Sequence, residues 1–119
     1  MKLGVIAAAG RGTRFDTVVP KQLFRVHDVS LLEMAFSKLS EVCDVVCVVT
    51  SKELLARKDW PLLPLAEIRI QENLLGMGDA IFSARDLIAE SSYLVTLWAD
   101  QVGVSVETIR NALEMVDSM

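Results

Sequence analysis

Cysteine and histidine are scarce in this chain, and the shortage closes off two classes of function. Two cysteines and one histidine, His27, occur in 119 residues. A structural zinc site needs four such ligands, so none can be assembled here. Cys43 and Cys47 lie in one apolar run; if that run is a strand they share a face, with Cα atoms about 13 Å apart, beyond disulfide reach. They are read as small buried thiols. No Ser-His-Asp or Cys-His set exists, and His27 is expected to be a structural or surface residue.

Long hydrophobic runs are also missing. The apolar stretches 45–49 and 94–99 stop far short of the roughly 20 residues that span a bilayer. The opening MKLGVIAAAG has a short apolar run that passes into Arg11 and Arg14, which fits a first strand better than a signal peptide. No membrane partner is expected, and the location is read as cytoplasmic. Positive charge is in deficit: the net charge is −4 and the pI about 4.9. A broad nucleic-acid footprint is therefore excluded, and an anionic ligand must be met by a local cationic site. Repeats, linkers and low-complexity segments are absent.

What remains is apolar. Hydrophobic residues make up 52% and charged residues 24%, with mean hydropathy +0.40, a composition that folds. At this length one domain is expected over residues 1–119. Residues 2–8 form a buried strand that ends at glycine. Ser30-Leu31-Leu32-Glu33 is a capping box, predicting a helix to about Leu39. Residues 44–50 (DVVCVVT) have the β-branched, unbroken pattern of a parallel strand covered on both faces.

Thr50 or Ser51 with Glu53 can cap a short second helix, which Trp60-Pro61 and Pro64 must end. Residues 67–70 alternate as a half-exposed strand near an edge. Gly76-Met77-Gly78-Asp79 opens a helix with Ala80, Ile81, Ala84, Leu87 and Ile88 on one face. Tyr93 to Ala99 is a further buried strand stopped by Asp100. Ser105, with Glu107 in the first turn, starts a last helix through Ile109, Leu113 and Val116. This order predicts an α/β fold, a mostly parallel sheet with helices on both faces. Ligands of such sheets sit outside the carboxyl ends of the strands where strand order reverses. The first strand meets a glycine-rich loop there, and the last meets Asp100.

The loop, AAAGRGTRFDTVVPK from Ala7 to Lys21, allows three chemistries. A dinucleotide fingerprint needs a third glycine where Phe15 stands, and a Walker A loop needs lysine directly after its second glycine, where Thr13-Arg14 follow. A loop handling a triphosphate needs glycines that admit phosphate to backbone N–H groups, which Gly10 and Gly12 offer. It also needs cations for charge on a reacting phosphoryl group, and Arg11, Arg14 and Lys21 supply them. The plain alternative is a glycine turn with exposed basic residues. Asp100, at the mouth of a buried strand, must be hydrated or paired. A hard cation such as Mg²⁺, bridged to substrate phosphates, would satisfy it; so would a simple turn before Gln101-Val102-Gly103.

A-A-G-x-G-T-R followed by P-K resembles the signature loop of nucleotidyltransferases that join a nucleoside triphosphate to a sugar phosphate or related phosphate. Most similar is the uridylyltransferase domain that acts on N-acetylglucosamine 1-phosphate, with methylerythritol-phosphate cytidylyltransferases and molybdenum-cofactor nucleotidyltransferases as relatives. QENLLGMGDA and LVTLWADQVGVSVETI match in the same order. The resemblance implies a Rossmann-like sandwich of the nucleotide-diphospho-sugar transferase kind. It implies that Ala8, Ala9, Gly10, Gly12 and Thr13 lie against the nucleotide. Arg14 would stabilise the triphosphate in the transition state, and Lys21 would contact phosphate. Gln71 would read the base edge, and Gly76 would lie beside the base. Asp100 would hold Mg²⁺. Met77 stands where threonine or serine is common, and Ala99 where glycine is usual.

The implied activity moves a nucleoside monophosphate from a triphosphate to a phosphorylated small-molecule acceptor, releasing pyrophosphate. The alternative is a non-catalytic domain that binds nucleotide or a partner. The resemblance covers the first, nucleotide-binding half of the family's domain, so the chain is expected to be truncated. Its strand at residues 93–99 would then be an apolar edge, which invites a homodimer or a complementing chain.

Overall fold

The computed structural model describes residues 1–9, 21–71, 76–99 and 103–118. Four parallel strands form its sheet: β1 (Lys2–Ala7), β4 (Val45–Thr50), β5 (Glu67–Ile70) and β6 (Tyr93–Trp98), in the order β5-β4-β1-β6. β1 lies inside, with Leu3 to Ala7 opposite Val45 to Val49 on one side. On its other side Lys2 to Ala7 oppose Tyr93 to Trp98. The chain runs outward from β1 to β5, then returns to the far side of β1, so strand order reverses between β1 and β6.

Alternation along β1 sorts the core into two layers. Ile6 and Ala8 join Val46 and Val48 beneath α1 (Leu31–Val42) and α5 (Val106–Asp117), which contribute Leu32, Ala35, Leu39, Ile109 and Leu113. Leu3, Val5 and Ala7 join Cys47 and Val49 on the opposite face, against Ala80 and Ala84. Helices therefore cover both faces of a parallel sheet, as the order of elements predicts. β6 is the outer strand on its side of the described sheet, with Leu94 39% and Trp98 42% exposed. No helix among the described residues is long and apolar enough to cross a membrane.

Local signals behave as their chemistry requires. Ser30 Oγ accepts from the Glu33 amide while Glu33 Oε1 accepts from the Ser30 amide, both at 3.1 Å, closing the capping box. The helix continues to Val42, beyond the expected end at Leu39. Ser51 caps α2 (Lys52–Leu55), its Oγ accepting from the Leu54 amide at 3.2 Å. Ser105 does the same for α5 through the Thr108 amide at 3.1 Å.

Three expectations are corrected. The helix expected from residue 77 through 88 is two: α3 (Met77–Ser83) and α4 (Arg85–Ile88), meeting at Ala84 with φ −102° and ψ 16°. There the Ala84 amide bonds Ile81, three residues back, at 3.0 Å. Arg85 turns its guanidinium over the Phe82 ring, 4.3 Å from the centroid, and donates to the Phe82 carbonyl at 3.0 Å. That carbonyl is thus diverted from the helical ladder. Val116 is 49% exposed rather than core. By then α5 has reached the amino edge of the sheet, where Tyr93, the first residue of β6, donates to Asp117.

The third correction concerns the cysteines. Cys43 is the C-cap of α1, ahead of β4, and packs with the α1 layer, whereas Cys47 lies in β4 on the opposite layer. Both are free thiols. Burial, aided by the Asp44 charge, pushes Cys43 up to about 11. Burial pushes Cys47 up to about 12. A thiol whose folded value is raised stabilises the fold fully below its unfolded value and loses that contribution as pH climbs toward the folded one. Urea midpoints are therefore expected to fall between pH 9 and about 12. A thiol reagent should label half-buried Cys43 well before Cys47, and equal rates would contradict this packing.

A small element was not foreseen. β2 (Arg25–Val26) and β3 (Val29–Ser30) form an antiparallel hairpin. His27 and Asp28 bridge them with φ of 52° and 67°, the positive pair of a type I′ turn. His27 is exposed at that tip. Neither residue is the glycine or asparagine that usually marks such turns.

Candidate functional site

The carboxyl edge of the sheet gathers the residues that matter. β1 carries its pairing one step past its end: the Ala8 amide donates to the Val49 carbonyl at 2.8 Å, and the Ala99 amide to the Ala7 carbonyl at 3.1 Å. Ala8 and Ala9 are buried, 0% and 4% exposed. Larger side chains would have to displace the α1 layer against which Ala8 packs.

The Ala8 carbonyl is held from two directions. Gln22 Nε2 donates to it at 3.2 Å, and Thr50 Oγ1 at 3.4 Å. Gln22 follows Lys21, which opens a single 3-10 turn, Lys21–Leu23. This side chain therefore fastens the two described ends that flank residues 10–20. Sequence reasoning missed both donors. Gln22 stands directly after Pro20-Lys21, and Thr50 was weighed only as a cap, a role that Ser51 fills.

The next strand continues the chain of bonds. The Gln71 amide donates to the Thr50 carbonyl at 2.8 Å. Gln71 is 4% exposed, and its side-chain Nε2 donates to Asp79 Oδ2 at 2.8 Å and to the Gly76 carbonyl at 3.3 Å. It thereby fastens the ends that flank residues 72–75. Gly76 has φ 95° and ψ −166°, a region essentially reserved for glycine.

Of the expected site residues, Ala8, Ala9, Gln71 and Gly76 thus lie along one edge, and Lys21 opens the 3-10 turn whose Gln22 is bonded to Ala8. Gly10, Gly12, Thr13, Arg14 and Asp100 lie outside the described residues. Among the described residues no group of three or more His, Cys, Asp or Glu side chains could hold a metal ion. The described edge offers backbone groups, two amide side chains and one carboxylate, Asp79.

Residues 4–118 match the model of the MobA-like NTP transferase domain. The chain belongs to that family. Curated proteins similar to this chain include the bifunctional protein GlmU of Ruegeria sp. strain TM1040, 32% identical over 114 residues, which cover 92% of this chain and 25% of that protein. The bifunctional protein GlmU of Thermotoga petrophila is 29% identical over 111 residues, covering 92% of this chain and 24% of that protein. The chain thus spans about a quarter of the length of these relatives. Among solved structures, Rv0371c of Mycobacterium tuberculosis in complex with manganese superposes with TM-score 0.72 at 21% identity, covering 98% of this chain and 60% of its own. A nucleotidyl transferase from Methanothermobacter thermautotroptrophicus gives 0.72 at 23%, covering 96% and 57%. These likenesses establish the nucleotidyltransferase fold, with its Rossmann-like sheet.

Proposed function

We propose that this chain is the nucleotide-binding part of a divalent-metal-dependent nucleotidyltransferase. It transfers a nucleoside monophosphate from a triphosphate to a sugar 1-phosphate or similar phosphorylated acceptor. The observation that carries this is that Ala8 and Ala9 after β1, and Gln71 and Gly76 after β5, come from separate sequence blocks to one carboxyl edge of the sheet, linked through Thr50 after β4. Membership of the NTP transferase family supports it independently.

In this reading an acceptor phosphate oxygen attacks the α-phosphorus in line. The bond to the bridging oxygen breaks, and pyrophosphate leaves with its electron pair. No protein nucleophile is needed, because positioning and charge stabilisation do the work. Gly10, Gly12 and Thr13 line the phosphates, Arg14 and Lys21 meet the developing charge, and Gln71 and Gly76 receive the base.

Asp100 follows Ala99, whose amide is bound to the Ala7 carbonyl. Its carboxylate suits a hard cation shared with phosphate oxygens, and Mg²⁺ fits that donor chemistry. A bound divalent ion would neutralise phosphate charge. The manganese complex of the mycobacterial neighbour is in keeping with such an ion. The outer edge of β6 is closed in this reading by further strands or by a second copy, and light scattering separates the two.

Calorimetry with UTP, CTP, ATP, GTP and dTTP in Mg²⁺ tests the function, together with pyrophosphate release on a panel of sugar 1-phosphates. Arg14→Ala and Asp100→Ala are each expected to weaken triphosphate binding about tenfold, the loss of one charged contact. Absence of binding at millimolar triphosphate, or binding by both variants that is unchanged from the wild type, would refute the assignment.

A further inference from the structure

The side-chain amide of Gln71 has a defined orientation. Its nitrogen carries two hydrogens and faces two acceptors, Asp79 Oδ2 at 2.8 Å and the Gly76 carbonyl at 3.3 Å. Turning the amide over would set its oxygen against both of these oxygens, so only one orientation is tolerated. Its hydrogen bonds among the described residues are all made by the nitrogen, which leaves the oxygen to accept from a ligand.

Asp79 makes the shorter of the two bonds from the first turn of α3. That turn is itself secured, since Ser83 Oγ donates to the Asp79 carbonyl at 3.0 Å.

We propose that Asp79 is a positioning residue that sets base choice, by holding Gln71 as an acceptor toward bases that carry a ring N–H. The inference rests on the reading of Gln71 as the residue that meets the base. Uracil, thymine and guanine present a ring N–H on their pairing edge, whereas cytosine and adenine present a ring-nitrogen lone pair there. The exocyclic amino groups of cytosine and adenine can still donate. Their neighbouring lone pair would nevertheless face the Gln71 oxygen, and a fixed amide cannot turn to offer a hydrogen. A site built around one polar partner rejects a mispaired analogue strongly, because the buried groups are left opposed.

The test is equilibrium binding of UTP, GTP, CTP, ATP and inorganic tripolyphosphate to the wild-type chain, Asp79→Ala and Asp79→Asn. The wild type is expected to bind UTP or GTP roughly tenfold or more tighter than CTP and ATP. Asp79→Ala removes the shorter of the two bonds that hold the amide, leaving the 3.3 Å bond to the Gly76 carbonyl, so that ratio should fall toward one. Asp79→Asn keeps an accepting oxygen and should largely restore it. Tripolyphosphate, which has no base, should bind all three alike; a loss of fold alone would weaken every ligand together and leave the ratio intact. An unchanged ratio in an Asp79→Ala chain that still binds tripolyphosphate as the wild type does overturns the inference. So does a wild type that binds all four triphosphates equally, a result that leaves the proposed function standing and is available even if Asp79→Ala does not fold. A wild type that binds no triphosphate overturns both.

Discussion

Replacing Gly4 with valine is expected to remove a large share of the chain's stability. Gly4 lies in β1, under α1, and a Cβ built there would stand 2.9 Å from Leu39 Cδ1, 3.3 Å from Leu39 Cβ and 3.2 Å from Cys43 Sγ. Leu39 is 0% exposed, so its end has no solvent to swing into. One methyl group at Gly4 should cost roughly 1–3 kcal/mol, the usual penalty of overpacking. Two further branches on valine should bring the loss to about 4 kcal/mol, against a typical total stability of roughly 5–15 kcal/mol. Urea denaturation followed by circular dichroism gives the measurement.

A double-mutant cycle isolates the cause. Leu39→Ala alone should cost about 2–5 kcal/mol by emptying the core. Combined with Gly4→Ala it should cost clearly less than the sum, because the added methyl enters the space vacated by Leu39. Additive losses would mean that Gly4 is required for some reason other than the helix above it.

Gly76→Ala is expected to destabilise by a different route. No atom of the described residues lies within 4 Å of a Cβ at Gly76, yet φ is 95°. The cost is therefore backbone strain alone, roughly 1–3 kcal/mol. The Gly76 carbonyl also accepts from Gln71 Nε2 at 3.3 Å, so relaxation of the strain would loosen the clasp across residues 72–75. Triphosphate affinity should fall along with the urea midpoint. Gly78→Ala is the matched control: it too has open space, and it has no positive φ, so its loss should be small. Equal losses at the two glycines would remove the strain argument.

These two glycines show what could be read in the chain and what could not. Gly76 falls in the quoted QENLLGMGDA block, and its importance was legible. Gly4, inside an apolar strand, gives no local sign of the helix that crosses it. In the same way, Ser30 and Glu33 announce their capping box because both partners lie within one turn. Gln22 and Thr50 gave no sign of meeting at Ala8, because they stand 14 and 42 residues away. Asp79 was visible only as a residue in a helical first turn, until Gln71 was found donating to it across eight residues.

By itself the sequence determined the four strands of the main sheet, the capped helices and the alternation that makes the sheet parallel and two-faced. It also marked the loop, the glutamine and the aspartate on which the function is proposed. All of these depend on neighbours in the chain, through side-chain size, hydrogen-bonding reach and periodicity. Only the tertiary structure decided the strand order, the break at Ala84, the separation of Cys43 from Cys47 and the bonds that join Gln22, Ala8, Thr50, Gln71 and Asp79 along one edge. Those outcomes depend on which distant backbone groups the closed sheet brings within about 3 Å, the range over which a hydrogen bond forms, and no local pattern encodes that proximity.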